Sequence, residues 1–364
     1  MSGKIIKEGI PAADGYFMGA EYSKQSNIFM VWPYRKDNWR LDAAPAKEAY
    51  KNVAIAISEF TKITMIANEF DFKDCRAMLP EYIDVISFPS NDAWFRDSGP
   101  TFLTNASSEI RAVSWKFNAW GGDYDGLYSD WEADDAIAGK LCEYLGVDYY
   151  RTDDFVLEGG SFHVDGEGTV LTTEMCLLSP GRNPHLTKAE IEKKLCDYLG
   201  AEKVIWIKDG IDPLETNGHI DDVACFVRPG EVACIYTEDE SSPFYKESQD
   251  AYNTLINSTD AKGRKLKVHK VCTPKAPVLM EGADTIETVN GTIPRQDGDI
   301  CIASYLNFLI TNGGVIVPQY DDENDAMALE QIKAIFPDKK VVGVKTREIV
   351  YGGGNIHCIT QQMP

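Results

Sequence analysis

No Cys-x-x-Cys pair occurs in the 364 residues, although nine cysteines do, at 75, 142, 176, 196, 225, 234, 272, 301 and 358. Closely paired thiols are the usual mark of a zinc or redox site, and their absence argues against both. An odd, scattered set fits reduced thiols, so the expected location is cytoplasmic. Eight of the nine are expected to pack as small apolar side chains in the core. No apolar run approaches the ~18 residues of a membrane crossing. The opening Met1-Ser-Gly-Lys-Ile-Ile-Lys-Glu8 has no apolar centre of the kind a secretion signal carries. Basic residues are scarce: 36 Lys and Arg against 57 Asp and Glu give a formal net charge of −21. The clustered positive charge that grips nucleic acid is missing. An acidic field gathers small cations instead.

No low-complexity segment or linker divides the chain, so one domain over 1–364 is expected. A recurring unit is present: an amphipathic helix, a short β-branched strand, then an apolar hairpin. Helices are predicted over 47–62, 130–145, 187–199, 243–256 and 323–335. The strands after them are predicted at 63–67, 147–150, 204–208, 266–271 and 339–344. Hairpins are predicted over 96–115, 155–173, 219–236 and 304–320. The stretch 352–363 then reads as a single strand without a hairpin partner, and the orphan strand 28–32 near the other end can supply one. This is an α/β chain of five ββαβ units, read as a ring closed by pairing of its N- and C-terminal strands.

The polar residues cluster where the hairpins begin: Asp97 in Asn91-Asp-Ala-Trp-Phe-Arg-Asp97, Glu158 in Leu157-Glu-Gly-Gly160, His219 and Asp221 in Thr216-Asn-Gly-His-Ile-Asp221. The last strand adds Gly352-Gly-Gly-Asn-Ile-His-Cys358. In a ring these starts converge, and glycines such as Gly353 let a ligand come close to the backbone. Residues i and i+2 of a strand share a face, so His219 and Asp221 point the same way while His357 and Cys358 diverge. The imidazole partner of Cys358 is therefore expected to be His219, with His163 second. Three carboxylates in one cleft call for a cation, and a planar guanidinium suits paired carboxylate hydrogen bonds. A thiol nucleophile beside it points to attack on the guanidinium carbon. Two other readings share these residues: a divalent metal on His163-x-Asp165 or His219-x-Asp221, and a binding cleft for polyamines or guanidines without catalysis.

Asp92-Ala-Trp-Phe-Arg-Asp-Ser-Gly-Pro100, Phe117-Asn-Ala-Trp-Gly-Gly122, Leu157-Glu-Gly-Gly-Ser161, Thr216-Asn-Gly-His-Ile-Asp221 and Gly352-Gly-Gly-Asn-Ile-His-Cys358 together resemble agmatine deiminases. These belong to the guanidine-modifying pentein superfamily, with arginine and peptidyl-arginine deiminases. The resemblance implies a five-bladed α/β propeller and hydrolysis of agmatine to N-carbamoylputrescine and ammonia, with no cofactor and no metal. It implies Cys358 as nucleophile, His219 as general acid and base, Asp97 and Asp221 on the guanidinium, and Glu158 on both guanidinium and His219. Homo-oligomers, dimeric or tetrameric, are usual in the family. Agmatine ends in an ammonium, so its far subsite should lack an arginine able to grip a carboxylate. Trp94 is expected to offer its face to that cation, and Glu215 its charge.

Overall fold

The computed structural model describes residues 2–364 as a mixed α/β structure. One strand pattern occurs five times. In each case an antiparallel pair is followed by a helix and a third strand that lies parallel to the second. The first unit pairs Thr101–Thr104 with Ile110–Lys116, crosses by the helix Glu132–Leu145 and returns on Tyr149–Val156. The second uses Phe162–Val164, Thr169–Thr173, the helix Lys188–Leu199 and Lys203–Ile207. The third uses Ala224–Arg228, Glu231–Ile235, the helix Tyr245–Ile256 and Lys267–Val271. The fourth uses Leu309–Ile310, Gly314–Gln319, the helix Asp325–Ile335 and Lys340–Lys345.

The fifth unit is assembled from both ends of the chain. Thr360–Met363 pairs antiparallel with Asn27–Val31, which then runs parallel to Ile63–Ala67 across the helix Ala44–Ser58. The strand partner expected for the last segment is thus the one found. The segment itself differs from expectation. Only Thr360–Met363 is strand, and Gly352 to Ile359 is turn. Three glycines and an Asn favour turns over extended backbone, and Gly353 takes a φ of 109°.

Sequence signals account for these elements locally. Thr187 and Glu190 form a capping box at the start of one helix, and Gly200 ends it in the left-handed conformation at φ 65°. The helix Ala44–Ser58 buries Ala46, Ala49, Tyr50, Val53 and Ile57, spaced along one stripe. That stripe packs with Ile63–Ala67, buried at every position. Each fully buried Ile or Val contributes roughly 1.5–3 kcal/mol. Seven of the eight cysteines expected in the core are buried; Cys196, on an amphipathic helix flank, is half-exposed. Between the third and fourth units the chain makes an excursion through the paired strands Val278–Leu279 and Ile300–Cys301, the second of which lines a cavity. No helix among the described residues is long and apolar enough to cross a membrane.

Candidate active site

Five of the expected residues come together. Asp97 lies on the helical turn Phe95–Ser98, Glu158 precedes the turn Gly159–Ser161, and His219 precedes the turn Ile220–Asp222, which carries Asp221. Short helical turns, not strands, therefore present the hairpin starts. Gly160 marks where the side chains meet. A Cβ there would fall 2.6 Å from His219 Nδ1, 3.0 Å from Asp97 Oδ1 and 3.1 Å from Asp221 Oδ2. Only glycine leaves that space clear, and its N–H donates to Asp97 Oδ1 at 2.8 Å.

Cys358 Sγ lies 3.5 Å from Asp221 Oδ2 and 3.1 Å from Asn307 Nδ2. Its backbone N–H donates to Asn307 Oδ1, as does that of His357. The divergence expected for His357 and Cys358 does not occur, because the segment is a turn. Both side chains reach the same oxygen, with His357 Nδ1 2.8 Å from Asp221 Oδ2. The other ring nitrogen faces Glu21, 3.0 Å from each carboxylate oxygen. Glu21 also accepts from Arg96, and His163 stands 3.5 Å away. His163, the second-choice partner, thus belongs to this buried layer and accepts the Phe226 N–H at Nδ1. Asp165 accepts the N–H groups of Glu167 and Thr169, as a turn residue does.

The electrostatics follow from burial. His219 Nδ1 is 3.8 Å from Asp97, and its Nε2 is 4.0 Å from Glu158 Oε2. Burial alone would lower the imidazole pKa, but Asp97, Cys176 and Asp221 outweigh it and raise it to about 10. Burial, with Asp221, Asp222 and Asp97 adding to it, pushes the Cys358 thiol well above its ordinary range. Burial also raises Asp97, whereas for Asp221 the His357 contact and the His219 charge outweigh burial and lower it. Glu158 Oε2, Asp221 Oδ1 and His219 Nε2 are buried without a hydrogen-bond partner. The two carboxylate oxygens are thereby left for a ligand that donates several N–H groups, and the protonated ring nitrogen is left to donate.

A cavity of about 510 Å³ leads to Cys358 and Asp97. Trp94 lines it but is 5% exposed, stacked on Trp39 with centroids 5.2 Å apart, and donates from its indole to Asp92. Glu215 lines it too, but is not a free charge. Arg295 holds both of its oxygens and also donates to Asn38 Oδ1 and Gly352 O. Arg295 and Arg35 also line the cavity, but each is held by carboxylates, so neither stands free to grip a substrate carboxylate. Gly353 sits under that pair. A Cβ there would fall 1.9 Å from Glu215 Oε2.

Sequence reasoning missed several residues of this site. Trp120, at a left-handed φ of 64°, donates its indole N–H to Asp97 Oδ2 at 2.8 Å. Its carbonyl accepts from Arg182, whose Nε holds Glu158 Oε1 at 2.7 Å. The Phe117–Gly122 motif signalled that loop without a role. Glu21, Asn307 and Arg182 stood in no motif and are joined to the site only by folding.

The model of the Porphyromonas-type peptidyl-arginine deiminase family matches residues 17–364. A "Putative agmatine deiminase" of Enterococcus faecalis is 63% identical over 361 residues, covering 99% of each chain. A protein of the same name from Lactococcus lactis is 62% identical over 97% of each. The solved structure described as "Agmatine deiminase of Enterococcus faecalis catalyzing its reaction" superposes with a TM-score of 0.99 at 62% identity, covering 100% of this chain and 99% of that one. Likeness of this extent, end to end, settles descent: the chain belongs to the Porphyromonas-type peptidyl-arginine deiminase family.

Proposed function

We propose that this chain hydrolyses agmatine to N-carbamoylputrescine and ammonia through a covalent adduct on Cys358. The observation that carries the reading is the convergence around Gly160 and Cys358 of three buried carboxylates, two with an oxygen left unpartnered. The full-length likeness to agmatine deiminases supports the choice of substrate.

The guanidinium enters among Asp97, Glu158 and Asp221, and its charge offsets theirs. Its arrival also favours the Cys358 thiolate, which burial and those same carboxylates otherwise oppose. The thiol proton leaves for solvent, and sulfur attacks the guanidinium carbon. Carboxylate hydrogen bonds hold that carbon near sulfur and localise its delocalised charge. His219, protonated at neutral pH because its pKa is raised to about 10, gives its proton to the departing nitrogen, which leaves as ammonia. The S-alkylthiouronium that remains is attacked by water. His219, now neutral, accepts one proton of the water, and the C–S bond breaks as the remaining hydroxyl proton passes to sulfur, giving the ureido product and the thiol. Water, one guanidinium nitrogen and the returning proton balance as net hydrolysis.

The far ammonium of agmatine meets the wall of Trp94 and the Glu215–Arg295 pair. Arg295 is engaged by Glu215, so it offers a substrate carboxylate little, which favours agmatine over arginine. The five units close as a five-bladed α/β propeller, a reading supported by one strand pattern repeated five times and completed by both chain ends.

Ammonia release from agmatine and from arginine, measured side by side with chelator present, tests the reading. Release from agmatine, unaffected by chelator and much faster than from arginine, is expected. Agmatine binding without ammonia release would leave only a guanidine-binding protein, and loss of activity to the chelator would point to a metal hydrolase.

A further inference from the structure

Beside His219 stands a thiol that the proposed reaction does not use. Cys176 lies on the helical turn Glu174–Leu177, and its N–H donates to Thr173 Oγ1 at 3.2 Å. One ligating atom each from Glu158, Cys176 and His219 lie within 4.8 Å of one another. Glu158 and Cys176 are fully buried and His219 is 1% exposed. Glu158 Oε2 and His219 Nε2, 4.0 Å apart, have no hydrogen-bond partner.

We propose that Glu158, Cys176 and His219 form a binding site for a thiophilic divalent metal ion, of which Zn²⁺ and Cd²⁺ are the examples. Thiolate, imidazole and carboxylate are the donors such ions prefer. Zinc bonds of about 2.0–2.3 Å place tetrahedral donors roughly 3.3–3.8 Å apart, so the three side chains need close by no more than about 1.5 Å. Their support is in place. Arg182 fixes Glu158 through Oε1 and leaves Oε2 free, while Asp97 steadies the far nitrogen of His219. The cavity is lined by Asp97, Trp120 and Thr216, and the three ligands lie buried behind that wall. Arg182 opposes the ion's charge, and Asp97 offsets that opposition.

A second cluster, Glu21, His163 and His357, has ligating atoms equally close. It is a poorer host. His357 is bonded to carboxylates through both nitrogens and Arg96 occupies Glu21, so an ion there would break contacts that exist. At Cys176 an ion satisfies two atoms that have none.

Binding displaces the Cys176 thiol proton and the His219 proton, and both go to solvent. Because binding releases protons, affinity rises with pH. With Nε2 ligated, His219 no longer carries protons, and the ion silences turnover. That consequence rests on the proposed function; binding does not.

The test uses the full chain carrying Cys358→Ala, in which the nucleophile cannot compete and no turnover is read. Titration with Cd²⁺ is expected to show one tight site with an ultraviolet thiolate-to-cadmium band, tightening as pH rises. Adding Cys176→Ser is expected to remove the band and weaken binding at least about tenfold. Anomalous diffraction from Cd²⁺-soaked crystals of the Cys358→Ala protein locates the ion without depending on how the second substitution folds. A peak between the three side chains is expected. An unchanged band and affinity after Cys176→Ser, or no peak between these residues, overturns the proposal.

Discussion

His357 joins Asp221 to Glu21 through its two ring nitrogens, 2.8 Å from Asp221 Oδ2 and 3.0 Å from both Glu21 oxygens. A ring flanked by carboxylates on both sides must carry a proton on each nitrogen, so it is held as imidazolium. Burial and Arg96 oppose that charge, while Glu21 and Asp221 prevail and raise its pKa. The imidazolium fixes Asp221 Oδ2 beside Cys358 Sγ. Replacing Glu21 with Gln leaves Arg96 and His357 short of a buried counter-charge. Urea unfolding is expected to show a loss of roughly 3–5 kcal/mol. The histidine proton of His357, followed by nitrogen NMR, is expected to be lost at lower pH in that variant.

His219 links stability to alkaline pH. Its folded pKa, about 10, lies above the ordinary value of 6.5. The stability it contributes is therefore fully present below about pH 6.5 and is lost as pH rises through about 10. His357 acts in the same direction, since its pKa is also raised. Thermal unfolding is expected to fall in temperature between pH 7 and pH 10.5, and to fall less in a His219→Asn variant.

Cys358 should be a thiol in the free protein at neutral pH, because burial and Asp221, Asp222 and Asp97 oppose its charge. Alkylation by iodoacetamide is expected to be slow without ligand. Agmatine added to the non-turning His219→Asn variant is expected to produce the ultraviolet absorbance of a thiolate. Rapid alkylation of the free protein at pH 7 would contradict this.

Glu215 is the device that silences Arg295. Glu215→Ala leaves the guanidinium free in a cavity meant for a cation. The KM for agmatine is expected to rise about tenfold, and the preference for agmatine over arginine to shrink, because the freed Arg295 can grip arginine's carboxylate. Glu215→Ala with Arg295→Ala should restore part of the discrimination, which kcat/KM for the two substrates measures.

Gly160→Ala places a methyl group 2.6 Å from His219 Nδ1. A displacement near 1 Å at the reacting groups costs about a hundredfold in rate. Steady-state kinetics are expected to show at least that loss in kcat/KM, with little change in unfolding temperature.

Much of this was legible because the chemistry is written in dense local motifs. Asp97, Glu158, His219 and Asp221 sit close to glycines at the start of a hairpin, Cys358 follows a glycine run, and the five helix-and-strand units recur with little displacement. Pairing of Asn27–Val31 with Thr360–Met363 could be read from what each end lacked. The divergence of His357 from Cys358 could not survive, because the alternation rule holds only in extended backbone and Gly352–Asn355 sends the chain into a turn. Glu21, Asn307 and Arg182 were invisible for another reason. A Glu, an Asn and an Arg in unremarkable surroundings acquire roles only when folding brings them against His357, Cys358 and Glu158. Glu215 was read as free because its partner Arg295 lies 80 residues away in an excursion with no helical or strand period.

The most direct test of the account is acid-quenched mass spectrometry of the protein during agmatine turnover. The peptide carrying Cys358 is expected to gain the mass of agmatine less ammonia. The adduct should be absent in Cys358→Ala, which stays folded and releases no ammonia. Sustained ammonia release by Cys358→Ala, or an adduct on another residue, would contradict it.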